Sequence, residues 1–134
     1  MTGTVVVDSS ALLEVVAAKA PDRALLHRLV NSLQVAPALL DPEAINALRR
    51  LERMRLLSSE QATRAFHHIR TAPVERVPLR SLAERAWALR GSVFTNDAFY
   101  LALAEHLDVP FVTCDAKVAG SNGHDVDIEV YPIS

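Results

Sequence analysis

The sequence predicts one α/β domain spanning residues 1–134, a three-layer α/β/α sandwich around a mainly parallel sheet. Two observations carry this expectation. Short β-branched or apolar runs alternate with longer amphipathic segments, the pattern of strand–helix–strand crossovers. The first run, Thr4 to Val7, is continuous rather than alternating, as suits a strand covered on both faces.

Thr4 to Val7 is therefore the first strand, and Asp8 lies at its carboxyl end. Ala11 to Ala18 follows as a helix with Ser9 or Ser10 as its cap. Pro21 opens a second helix, Asp22 to Leu33, with Leu25, Leu26, Leu29 and Leu33 on one face. Gln34 to Ala36 is a second short strand. Asp41 then caps a helix that has Pro42 at its first position and runs to about Leu56. Its expected inward face is Ile45, Leu48, Leu51 and Met54, and Glu43 sits in its first turn, where the helix dipole favours a carboxylate. Ser58 to Glu60 starts the next helix, ending near Arg70. Val74 to Val77 is a third strand, and Leu79 to Arg90 another helix.

The segment Thr95 to Lys117 organises the rest. Thr95 and Asn96 cap a helix with Phe99, Leu103 and Leu107 at helical spacing, and Pro110 stops it. Phe111 to Thr113 is a short buried strand. From Asp97 to Leu107 the helix climbs about 16 Å. From Pro110 to Cys114 the strand returns about the same distance. Asp115 thus comes back to the edge where Asp97 began. In a parallel sheet that edge is the carboxyl end of the strands, where ligands bind. Ile128 to Tyr131 is a last edge strand, closed by Pro132.

Composition narrows the function classes. The chain's 134 residues suffice for one domain with a real core and are too few for two typical ones. A formal net charge of -2 argues against a simple basic DNA-binding module but leaves room for a nuclease, whose own acids lower the sum. Cys114 is the only cysteine, which excludes an internal disulfide and a cysteine-based zinc site. No basic-then-apolar leader opens the chain and no apolar run approaches about 20 residues, so a cytoplasmic protein without membrane association is expected.

Right-handed crossovers bring four acids to the same edge: Asp8, Glu43, Asp97 and Asp115. Singly, each reads as a turn residue, a cap or a complement to a helix dipole. Together they would repel unless a cation neutralised them, and no Lys or Arg directly follows Asp8, Glu43 or Asp97. An all-oxygen set suits Mg²⁺ or Mn²⁺ rather than zinc. His67 and His68 point about 100° apart on a helix, which makes them poor co-ligands. Ser9, Ser10 and Thr113 are small hydroxyls able to orient carboxylates, and equally able to cap.

At these residues the chain resembles the PIN-domain ribonucleases, specifically the toxin component of bacterial VapBC toxin–antitoxin pairs. The resemblance rests on VVVDSSALLE, on PEAINALRR and above all on NDAFYLALAEHLDVPFVTCDAKVAG, and it covers nearly the whole chain. It implies a PIN-like fold and a Mg²⁺-dependent ribonuclease, with Mn²⁺ as a second candidate metal. Asp8, Glu43, Asp97 and Asp115 would be the metal-binding catalytic acids. Ser9 and Thr113 would be supporting hydroxyls. Asn96 stands where such toxins often carry an aromatic. Arg49, Arg50 and Arg53 are candidate contacts for RNA or for the antitoxin, with a solvated helix face as the plainer reading. A homodimer and a VapB-type antitoxin are also implied.

Other classes fit less well. A phosphoacceptor domain expects an acidic pair after its first strand, where this chain has Ser9 and Ser10. An Asp-x-Asp phosphatase fails because Ser10 stands at the second Asp. A catalytically inactive PIN-like RNA- or protein-binding module is the remaining alternative, disfavoured by the presence of all four acids.

Overall fold

The computed structural model describes residues 3–134. Its strands are β1 (Thr4–Val7), β2 (Leu33–Pro37), β3 (Val74–Val77), β4 (Phe111–Thr113) and β5 (Ile128–Val130). Its helices are α1 (Ser9–Ala17), α2 (Arg23–Val30), α3 (Leu40–Arg53), α4 (Ser59–Thr71), α5 (Ala83–Ala88) and α6 (Thr95–Leu107). Two short 3₁₀ turns, Arg80–Leu82 and Ala116–Gly120, complete it.

Among the described residues the five strands form one sheet in the order β3-β2-β1-β4-β5, and every pairing is parallel. Val6 pairs with Val35 on one side and Phe111 on the other, so β1 is central. The chain moves outward from β1 through β2 to β3, then jumps back to β4. The order therefore reverses between β1 and β4, the switch point at whose carboxyl ends parallel α/β sheets bind ligands. That is where Asp8 and Asp115 lie.

Packing explains the layers. Val5, Val6, Val7, Phe111 and Val112 are fully buried, as strands covered on both faces must be. Helix α6 lies on β1, β2 and β4 and is itself covered by α5. Its Ala98 and Tyr100 to Ala104 are all buried. Helices α1, α3 and α4 pack on one another, with α1 also against β4. No helix among the described residues is long and apolar enough to cross a membrane.

Several elements depart from the sequence expectation. Helix α2 ends at Val30, and Leu33, expected on its apolar face, opens β2 and is 56% exposed. The cause is strand pairing: the Leu33 amide donates to the Gly3 carbonyl at 3.2 Å, which pulls the chain out of the helix. Helix α3 starts at Leu40, before the predicted Asp41 cap, and no side chain caps it. Asp41 instead accepts two hydrogen bonds from the Arg76 guanidinium, at 2.9 and 3.2 Å. Pro42 is tolerated because amides of the first turn have no partner within the helix. The buried face of α3 is Leu40, Ala44 and Leu48, whereas Ile45 and Met54 are exposed. The helix expected over residues 79–90 is a 3₁₀ turn followed by the six-residue α5. The start of α4 follows the sequence: Ser58 and Gln61 form a reciprocal capping box.

Candidate active site

Asp8 ends β1 in an extended conformation and begins α1, which makes it the cap that Ser9 or Ser10 was expected to supply. Its Oδ1 accepts from the Ala11 amide at 3.0 Å and from the Ser10 hydroxyl at 2.7 Å. Its Oδ2 accepts from the Thr113 hydroxyl at 2.5 Å. The hydroxyl from α1 that reaches Asp8 is thus that of Ser10, not Ser9. Thr113 Oγ1 in turn accepts from the Asp115 amide at 2.9 Å, and Ser10 Oγ accepts from the Cys114 amide at 2.9 Å. These bonds stitch the carboxyl ends of β1 and β4 together. Asp8 is buried, and burial pushes its carboxyl up to about 6. The charge on Glu43 adds to this rise, and the three donors oppose it.

Glu43, in the first turn of α3, is held from across the sheet by α6. Tyr100 donates its hydroxyl to Oε1 at 2.6 Å, and Asn96 donates its amide to Oε2 at 2.8 Å. Tyr100 is 1% exposed, and its ring stacks on Phe111 with centroids 5.6 Å apart. Burial and the bond to Glu43 push its hydroxyl upward, so it stays a neutral donor.

Asp97 lies half-buried in the first turn of α6. Burial, then the charges of Asp115 and Glu43, raise its carboxyl above the ordinary range. Helix α6 has no side-chain cap, so Thr95 and Asn96 do not fill the role the sequence suggested. Asp115 follows β4 and accepts from the Lys117 amide at 3.0 Å. The Lys117 side chain is exposed.

The four acids therefore share one electrostatic neighbourhood: Asp8 senses Glu43, and Asp97 senses both Glu43 and Asp115. The salt bridges among the described residues engage Glu129, Asp41 and Glu105, and none of the four. No three of the carboxylates among the described residues close into a metal cage. The donor set is nevertheless all oxygen, with unneutralised mutual repulsion, and so fits a hard divalent cation of the Mg²⁺ or Mn²⁺ type.

The candidate arginines form no salt bridge with the four acids among the described residues. Arg49, Arg50 and Arg53 are exposed on α3. Arg50 alone of the three lines a groove of about 790 Å³ that also includes Ser9, Ser10, Leu13, Leu57 and Arg64. The sequence reading missed the grip of Asn96 and Tyr100 on Glu43. A signal existed: these two residues are four apart on a helix and share a face with polar groups beside Asp97.

A doubly wound parallel sheet with a carboxylate cluster at its switch point defines the class: an α/β protein with a candidate cation site. The PIN domain model matches residues 5–120. The chain is 36% identical to ribonuclease VapC12 of Mycobacterium tuberculosis over 126 residues, covering 94% of this chain and 98% of that one. It is 37% identical to ribonuclease VapC1 of the same organism over 127 residues, covering 93% and 96%. Among solved structures, VapBC2 from Rickettsia felis, bound to a DNA fragment from its promoter, superposes with a TM-score of 0.67 at 12% identity, covering 94% and 97%. The chain belongs to the PIN domain family, in its VapC ribonuclease branch.

Proposed function

We propose that the protein is a Mg²⁺-dependent endoribonuclease, the toxin of a type II toxin–antitoxin pair, which hydrolyses RNA phosphodiester bonds and so blocks translation. The observation that carries this reading is the electrostatic coupling of Asp8 to Glu43 and of Asp97 to Glu43 and Asp115, with no salt bridge to any of the four among the described residues. Similarity to the VapC ribonucleases supports RNA as the substrate.

A bound Mg²⁺, or Mn²⁺, supplies charge neutralisation for the scissile phosphate and a more acidic water for in-line attack. Asp8, Asp97 and Asp115 are the residues that would hold it. Thr113 and Ser10 fix the Asp8 carboxylate by donating to its two oxygens. Asp8 must release the proton that burial favours before it can serve as a ligand. The solved neighbour named as a VapBC pair supports a VapB-type antitoxin as partner; the negative charge of the four acids would suit a basic side chain supplied by that partner. A homodimer acting in the cytoplasm completes the proposal.

The test is incubation of the purified chain with structured RNA, with Mg²⁺ and with EDTA, beside an Asp97→Asn variant shown by circular dichroism to be folded. Cleavage that needs Mg²⁺ and disappears in the variant is expected. Equal cleavage in EDTA, or full cleavage by the folded variant, refutes the proposal.

A further inference from the structure

We infer that Asn96 and Tyr100 are positioning residues that act through Glu43, holding its carboxylate toward the acid cluster from the opposite face of the sheet. The inference rests on the proposed cleavage reaction and deepens it.

The geometry is specific. Glu43 stands at the start of α3, on the side of the sheet where α1 and α4 pack. Both donors come from α6, which packs on β1, β2 and β4 beneath α5. The two bonds therefore close over the carboxyl edge of the sheet and join its two helical layers. Each carboxylate oxygen receives one neutral donor: Oε1 from Tyr100 at 2.6 Å and Oε2 from Asn96 at 2.8 Å. An ionised carboxylate offers about four acceptor sites, so this grip leaves roughly two open.

The donors are themselves held. Tyr100 is 1% exposed and stacked on Phe111, a residue of β4 two positions before Thr113. The same strand thus supports Asp8 through the Thr113 hydroxyl and Glu43 through the Tyr100 ring. Asn96 immediately precedes Asp97, so the turn that presents Asp97 also fixes Glu43. An aromatic side chain at position 96 would lack the amide donor that makes this bond.

Neither donor carries a charge. They orient Glu43 without cancelling its negative charge, whereas a Lys or Arg in either place would neutralise it and compete with a cation. Loss of one such outer partner at a metal site typically lowers metal affinity or activity about 10–100-fold.

The experiment uses the full chain with Tyr100→Phe, Asn96→Ala and Glu43→Ala, singly and as the Tyr100→Phe/Glu43→Ala pair. Tyr100→Phe keeps the ring and its stacking, and half-exposed Asn96 offers a second route if a buried change disturbs folding. Mn²⁺ is the probe, titrated by calorimetry, and RNA cleavage is measured in parallel as kcat and KM. Each single loss of a donor should weaken Mn²⁺ binding or lower kcat by about 10–100-fold with KM for RNA unchanged. In the Glu43→Ala background, Tyr100→Phe should have no further effect on either quantity. Additive losses in that pair overturn the inference, because Tyr100 would then act independently of Glu43. Unchanged Mn²⁺ affinity together with unchanged kcat in both Tyr100→Phe and Asn96→Ala also overturns it. Failure of wild type to cut RNA sinks the proposed function instead, and the Mn²⁺ arm still decides whether the donors act through Glu43.

Discussion

Replacing Asp8 by Asn should remove a defined piece of the pH dependence of stability. Asp8 is an acid whose folded pKa, about 6, lies above its ordinary 3.8 because burial disfavours the charged form. The folded state therefore binds the proton more tightly than the unfolded state does. Stability of the metal-free protein from this group is fully present below 3.8 and is lost as pH rises through about 6. At 1.36 kcal/mol per pKa unit, the loss at neutral pH is about 3 kcal/mol.

The hydrogen-bond network tolerates the substitution. The oxygen of the introduced carboxamide would keep the Ala11 amide and the Ser10 hydroxyl as donors. Its nitrogen would donate to Thr113 Oγ1, which already accepts from the Asp115 amide at 2.9 Å and has a second lone pair. Asn is also a good helix cap. The assay is urea denaturation in EDTA at several pH values from about 4 to 7.5, wild type against Asp8→Asn. The difference between them should grow by about 2.4 kcal/mol across that range, in favour of the variant at neutral pH. Asp97, raised in the same direction, leaves a residual slope in both proteins that cancels in the difference. Parallel stability curves would refute the claim that Asp8 is held as a strained carboxylate.

The same geometry sets further outcomes. Saturating Mg²⁺, at about 100 times its dissociation constant, should stabilise wild type by about 2.7 kcal/mol and Asp97→Asn much less, read from thermal melts with and without EDTA; equal shifts would exclude Asp97 from the site. Asp97→Asn without metal should be no less stable than wild type in those melts, because α6 has no side-chain cap to lose and the carboxylate is already disfavoured there. Leu101→Ala, at a fully buried position of α6, should cost about 2–5 kcal/mol by denaturant titration, well beyond the effect at exposed Ile45. Expression without an antitoxin should arrest growth, and Asp8→Asn should relieve the arrest; unimpaired growth with soluble, folded wild type would count against a toxin.

The layered α/β plan, and the edge to which the acids come, are legible in the chain alone. Val5 to Val7 have no polar alternation, which requires cover on both faces. The helical climb from Asp97 and the strand return to Asp115 fix their common edge from rises per residue. These are local quantities, and a linear chain carries them openly. The resemblance added a reason to group the acids as a catalytic set, a role that still awaits the variants above.

Partners, by contrast, came from the packing of distant segments. Thr113 reaches Asp8 across 105 positions of sequence, and Tyr100 reaches Glu43 across 57. Which hydroxyl meets which carboxylate depends on β1 and β4 being neighbours, and no periodicity states that. The same holds for the misassigned cap at Asp41, which Arg76 of β3 claims from 35 positions away. It also holds for Ile45 and Met54, apolar residues left exposed because α3 buries its Leu40, Ala44 and Leu48 face instead. A side chain's own type fixes what it can bond or bury, while the neighbouring strands and helices fix whether that partner is within reach.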